Sequence, residues 1–532
     1  MIKIDNDICY ISAGEVCYIF RIADGVPTHI YFGKRVEPED DLAALGLGGD
    51  TKELCVQAVE GGKKKDVDFT VTEAWIATDV DGNSKSLVVE LCGANGKLKA
   101  TMYYTPHPRG GIYRRATIKH EGGEEIKLAL VRQSVGCVDT ENTDCKANGF
   151  FGTCGGDNGD AYGFLCPNGD GNITVRDTVA CDVMGAITLY DIGEEAECPE
   201  LLCVYSDIGK GGVTRVFHDV LREDNDDDLF ERATVLFLPK MDCKGIVAAV
   251  KAAGELGFGV VALDGGRHTK DEISALGLAC KENGLIAGLS INREFIEETS
   301  ALRTNACKAT DGGAYKYDNT DKQTAMLYHA VHYSVANFDI KYVMLNAPEN
   351  ATSSDSARGL FAIKNMLKND FDGIRVDFGL PSGEISKLFT AYYPLGCVRN
   401  IVTPDPPENF KSRFDRASLG ALGYRFDPRE LSDGIKRAVR AQILSYQDDA
   451  RCVLRGDIYC YGGCRMTVSK DKSRAYAVCG GGERVKFFGL DEHNLYHVRE
   501  LNKTFSGAAL VSCGIKVGEG TSVFHILQVA DW

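Results

Sequence analysis

The chain has 532 residues, 44% hydrophobic and 26% charged, with a formal net charge of -16. That length exceeds one ordinary core and points to about three domains, while the composition is that of a globular protein. The acidic balance argues against nucleic acid or an anionic membrane as a partner, since a binder of phosphates must present positive surface.

Residues 1 to 225 read as β: short alternating segments such as Val16 to Ile22, Leu98 to Tyr104 and Ile126 to Val131 are separated by Gly-, Asp- and Asn-rich turns. Many short strands with that punctuation predict a large sandwich. The run LREDNDDDLFER, residues 221 to 232, reads as an exposed charged junction. From 226 to 446 strand and helix alternate. Apolar strands are expected at Ala233 to Leu238, Phe258 to Asp264, Leu285 to Ile291, Ile340 to Asn346, Ile374 to Phe378, Val398 to Thr403 and Leu419 to Phe426. Helices are expected at Asp271 to Asn283, Lys322 to Asn337 and Ser356 to Lys368, with another placing Ile246, Val247, Val250 and Ala253 on one face. A last, strongly amphipathic helix is expected with Ile435, Ala438, Val439, Gln442, Ile443 and Tyr446 on one face. The pattern is a (β/α)8-like barrel with seven strand candidates, one fewer than the eightfold form requires, so either one unit is missing or one strand is not recognisable in the sequence. Alternation returns in residues 447 to 532, an antiparallel β-domain.

The twenty cysteines show no zinc-ligand spacing, and Cys460 and Cys464 in YCYGGCR read as a turn flanked by thiols. No metal or other cofactor is expected. With no signal-like N-terminus and no apolar run long enough to span a bilayer, the expectation is a soluble cytoplasmic protein with reduced thiols and no membrane partner, with a homo-oligomer left open.

Five segments in order, HIYFGKRV (His29 to Val36), CVYSDIGKGGVTRVFHDVLRE (Cys203 to Glu223), AAGELGFGVVALDGG (Ala252 to Gly266), SRFDRASLGALGYRFDP (Ser412 to Pro428) and FFGLDEHNLYHV (Phe487 to Val498), resemble the family-36 glycoside hydrolases, the bacterial α-galactosidase group. The resemblance implies a β-supersandwich, a TIM barrel and a C-terminal β-sandwich. It also implies a carbohydrate ligand and, if the chain is active, O-glycosyl hydrolysis. The chain departs from the family pattern at the catalytic strand ends. Met344, Leu345 and Asn346 stand where Lys-Trp-Asp, with its nucleophile, is usual, and Asp264, Gly265, Gly266 and Arg267 replace Asp-Asp-Gly-Trp. Asn292, Arg293 and Glu294 replace Glu-Pro-Glu, and Asp377 to Pro381 replace a Gly- and Ser-rich loop. The loop bearing the acid/base Asp has no clear counterpart.

An amide cannot form a glycosyl ester, so a retaining mechanism would need another carboxylate pair at the barrel mouth. The eligible groups are Asp264, Glu294, Asp377, Asp405 and Glu349, with Asp264 and Asp377 the pair to test first. Arg267, Arg293, Glu294, Asn346, Asp405 and Tyr315 are the candidate substrate-binding residues. Three readings follow: a divergent α-galactosidase-like protein with weak or no activity on simple α-galactosides, a non-hydrolytic carbohydrate-binding protein on the same scaffold, or an enzyme of anionic sugars, which the arginines would favour.

Overall fold

The computed structural model describes the chain except residues 37–50, 80–81, 83, 137–143, 169–170, 176–177, 184–185, 224–233, 266–267, 292–320, 347–353, 380–391, 406, 462, 481–483, 519 and 530–532. It falls into two compact units, Met1–Glu223 and Asp224–Trp532. Most of the charged run at 221 to 232 lies outside the described residues.

The first unit is antiparallel. Ile2–Asp5, Ile8–Ala13, Val16–Ala23 and Val26–Lys34 form a four-stranded meander, which accompanies a nine-stranded and a six-stranded sheet. Helix Lys210–Glu223 follows strand Leu201–Ser206. Alternation explains the strands: in Leu98–His107, for example, Leu98, Ala100, Met102 and Tyr104 are buried while the residues between them are not. One polar group lies among these apolar side chains. The Glu53 carboxylate, fully buried, accepts from Arg114 Nη2 at 2.7 Å, Tyr104 Oη at 2.8 Å and Tyr18 Oη at 2.7 Å, and lies 2.9 Å from His29 Nδ1. Burial alone would raise its pKa, yet the Arg114 charge and the His29 and Tyr18 hydrogen bonds hold it below the ordinary carboxylate value. His29 opens the HIYFGKRV segment, so part of that segment's conspicuous pattern serves this buried network.

Cysteine chemistry departs from expectation in this unit. The thiols were expected reduced, but Cys145 and Cys154, direct partners on adjacent antiparallel strands, are joined as a disulfide.

The second unit contains seven parallel strands: Val235–Leu238, Val260–Leu263, Ile286–Ile291, Ile340–Asn346, Arg375–Gly379, Arg399–Val402 and Ala421–Arg425. Their sheet order is 5-4-3-2-1-7-6, and a bridge between Phe378 and Val398 joins its two edges. Among the described residues the barrel therefore has seven strands. Its inner face buries Val235, Phe237, Val260, Ala262, Tyr342 and Met344. The helices have local start and stop signals. Asp242 caps Cys243–Leu256 by accepting from Gly245 N at 2.7 Å, and Gly257 ends it with φ 93°, which glycine adopts without strain. Thr269 and Glu272 form a capping box for Lys270–Glu282. In the first of these helices Ala249, not Val247, completes the buried face; Val247 is 46% exposed, one position off the spacing expected.

The last barrel helix, Asp433–Arg455, runs past the boundary expected at 447. Its C-terminal turns share a core with the six-stranded terminal sheet: Leu395, Leu419, Cys452, Val453 and Leu454 pack with Ile458, Tyr476 and Val478. Barrel and terminal sheet thus share a core within one compact unit. They are also joined by charge. His525 Nε2 lies 3.1 Å from Asp449 Oδ2 and its Nδ1 2.5 Å from Glu500 Oε1, with Arg474 3.6 Å from Asp449 and the Tyr476 ring 5.1 Å from the imidazole. Burial would lower the His525 pKa, but hydrogen bonds to Asp449 and Glu500 push it up to about 9 from 6.5. Because the folded value is the higher one, this stabilisation is complete below the unfolded pKa and is lost as pH rises through about 9. Wild type is expected to lose on the order of 2 kcal/mol more than His525→Gln across that window, allowing for solvent screening. Denaturant titrations at a series of pH values check this, and parallel profiles for the two proteins would exclude it.

Candidate active site

Parallel register fixes which side chains face the barrel interior. Met344 pairs with Asp377 and Tyr342 with Arg375, so Arg375, Asp377 and Gly379 share the inner face with Tyr342, Met344 and Asn346. Phe237 pairs with both Ala262 and Arg425, which puts Arg425 on that face from the seventh strand.

Asp377 is fully buried between two guanidinium groups. Arg375 Nε donates to Oδ1 at 2.6 Å, and Arg399 Nη2 and Nε donate to Oδ2 at 2.6 and 3.1 Å. Arg399 also donates to the Leu422 carbonyl at 2.9 Å, Arg375 to that of Gly396 at 2.5 Å, and the Arg399 guanidinium lies 5.5 Å from the Tyr342 ring. Burial would raise the Asp377 pKa, but the two arginines win and hold it low, while burial and the Asp377 charge push the Tyr342 phenol well up. A carboxylate so held stays ionised and has little capacity to donate a proton.

Asp264 continues the second strand, its N–H donating to the Leu238 carbonyl at 2.9 Å. Its carboxylate is 21% exposed and is held by Arg425, Nε to Oδ2 at 2.6 Å and Nη2 to Oδ1 at 3.2 Å. The His268 side chain is buried, with Nε2 2.7 Å from the Asp264 carbonyl and Nδ1 3.6 Å from Glu272. Asp264 and Asp377 therefore each have their own arginine partners.

Asn346 ends the fourth strand. Its Nδ2 donates to Ser290 Oγ at 2.8 Å and to the Ile291 carbonyl at 3.1 Å. On the other side its Oδ1 lies against Gly379, where an added Cβ would fall 2.0 Å from it, so only glycine leaves room for this amide. The donors match the acceptors. A carboxylate in the same place would set one of its oxygens against the Ile291 carbonyl, which has no proton to give.

Asp405 is exposed and its carbonyl accepts from Arg413; among the described residues its carboxylate has no bond to Asp264, Asp377 or Asn346. Arg267, Arg293, Glu294, Tyr315 and Glu349 lie outside the described residues. Sequence reasoning missed Arg375, Arg399 and Arg425 as partners of the two aspartates, and Ser290 as the partner of Asn346. A signal existed for two of them: Arg375 and Arg399 stand at inward positions of short parallel strands, where a lone buried charge would be prohibitively costly and so implies a buried counter-charge, whereas Arg425 is half-exposed and gives no such signal.

No protein-family model matches the chain, and no curated protein is similar to it in sequence. Solved structures are similar in fold. The GH36 alpha-galactosidase AgaB from Geobacillus stearothermophilus aligns over 99% of this chain and 100% of its own at 18% identity, with a TM-score of 0.75. The alpha-galactosidase from Lactobacillus brevis aligns over 99% of this chain and 98% of its own at 14% identity, with a TM-score of 0.76. A variant of AgaA from Geobacillus stearothermophilus in complex with raffinose aligns over 98% of this chain and 100% of its own at 18% identity, with a TM-score of 0.74. Sandwich, barrel and terminal sheet, in that order along one chain, are the fold of the GH36 alpha-galactosidases.

Proposed function

We propose that this protein is a carbohydrate-binding member of the α-galactosidase architecture that does not hydrolyse simple α-galactosides. The observation that carries the reading is Asn346. At the strand end where the resemblance puts the nucleophile, an amide is present, and Ser290, Ile291 and Gly379 accommodate it as an amide. The two aspartates expected to substitute for it are each bound to arginine, and retaining hydrolysis needs one carboxylate free to attack and another that can carry a proton. Support for a sugar ligand comes from the fold, which in the AgaA variant holds raffinose. The anionic-sugar alternative rested on Arg267 and Arg293, and no described residue favours it over a neutral ligand.

Turnover of an aryl α-galactoside, whose leaving group needs little acid assistance, is expected to fall on the order of 10⁴-fold or more below that of a competent glycosidase. Calorimetric titration with raffinose is expected to show binding that Asn346→Ala weakens. Robust aryl-galactoside turnover would overturn the non-hydrolytic reading, and absence of both turnover and binding would overturn the carbohydrate reading itself.

A further inference from the structure

Cys166 follows strand Ala161–Leu165 of the nine-stranded sheet, and Cys181 lies in strand Val179–Val183 of the six-stranded sheet. Both are buried, and their sulfurs are 3.1 Å apart. Gly171 keeps that space clear, since a Cβ there would fall 2.6 Å from each sulfur. The neighbouring hairpin already carries a cross-link, Cys145–Cys154. It packs against the same strands, with Ile173 N donating to the Gly149 carbonyl at 2.5 Å and Cys166 N to that of Phe150 at 2.7 Å. Two thiols in contact, on different sheets and beside an oxidised pair, form a site for a second bond.

We infer that Cys166 and Cys181 form an inter-sheet disulfide by exchange with a small-molecule disulfide of the glutathione class. The Cys166 thiolate attacks one sulfur of oxidised glutathione and expels the other half as a thiolate, which takes up the proton Cys166 lost. The Cys181 thiolate then attacks the Cys166 sulfur of the mixed disulfide and expels the second glutathione. Two protein thiols are oxidised and one glutathione disulfide is reduced to two thiols. The site lies near the ends of both sheets, with Gly171–Val175 outermost in the six-stranded sheet, so local opening of the edge admits the reagent to otherwise buried sulfurs. Cys203, which interacts electrostatically with Cys181, is the competing partner, but burial pushes its thiol up to about 12, which leaves little thiolate to react.

The test uses the full chain, reduced and then equilibrated with oxidised glutathione, quenched, alkylated and mapped as peptides without reduction. A Cys166–Cys181 linked peptide is expected, with a thermal midpoint raised on the order of 5–10 °C over the reduced protein. The gain should survive Cys145→Ser and vanish in Cys181→Ser. Recovery of both residues in alkylated form, linkage of either to Cys203, or oxidation confined to Cys464 and Cys479, which are direct partners on adjacent strands of the terminal sheet, would overturn the inference. So would an undiminished gain in Cys181→Ser; if that variant does not fold, the wild-type peptide map decides alone.

Discussion

Arg114→Ala is expected to destabilise the N-terminal unit by about 3–5 kcal/mol, the cost of leaving a buried carboxylate without its counter-charge. Glu53 would keep the Tyr18, Tyr104 and His29 contacts but lose the 2.7 Å guanidinium bond, and the Ser134 carbonyl would lose its donor at 2.9 Å. The rings of Tyr18 and Tyr104, 5.0 and 5.4 Å from the guanidinium carbon, would border a void. Without the arginine, burial would dominate and the Glu53 pKa would rise above its unfolded value. Protonation would then rescue the fold, so the deficit should shrink as pH falls towards about 5. Urea unfolding of wild type and Arg114→Ala at neutral and acidic pH measures both effects. A loss below about 1 kcal/mol at neutral pH would mean that the network contributes little.

Asp377→Asn is expected to cost a similar amount, about 3–5 kcal/mol, by leaving Arg375 and Arg399 facing each other inside the barrel without an anion between them. This outcome separates two roles for the residue. A catalytic carboxylate replaced by its amide ordinarily leaves stability nearly unchanged and removes turnover. A carboxylate that neutralises two buried arginines does the reverse, lowering the melting temperature whatever the activity. Thermal unfolding of the variant beside wild type makes the distinction. An unchanged midpoint would return Asp377 to the list of catalytic candidates.

Strands and helices with strong periodicity were legible in the sequence to within a few residues. Ile340 to Asn346 is one strand in both accounts, and Ile374 to Phe378 differs from Arg375–Gly379 by one position. Period alone could not place Val247, because helical spacing at i, i+3 and i+4 is satisfied by either of two neighbouring faces and tertiary packing chose the one with Ala249. The boundary at 447 was illegible for a related reason. The amphipathic stripe of the last barrel helix continues into Cys452 and Val453, but the sheet that covers them comes later in the chain. At the site, residue types could be read but pairings could not. Asp264 and Arg425 are separated by 161 positions and meet only because the first strand lies between the second and the seventh. The Cys145–Cys154 bond was missed on the same ground, since cross-strand register, not spacing, brings the sulfurs together.

The core shared by the barrel and the terminal sheet has a consequence for synthesis. Leu395, Leu419 and the end of helix Asp433–Arg455 leave the ribosome before the strands carrying Ile458, Tyr476 and Val478, which must cover them. During that interval the nascent barrel presents an apolar surface on the side where the sheet will settle. Strand Ser522–Gln528, which lies beside Arg474–Cys479 and carries the His525 contact to Asp449, is made later still. A chain lacking that strand would keep all seven described barrel strands yet remain a substrate for chaperones and proteases, so strand Ser522–Gln528 bears on the survival of the whole second unit.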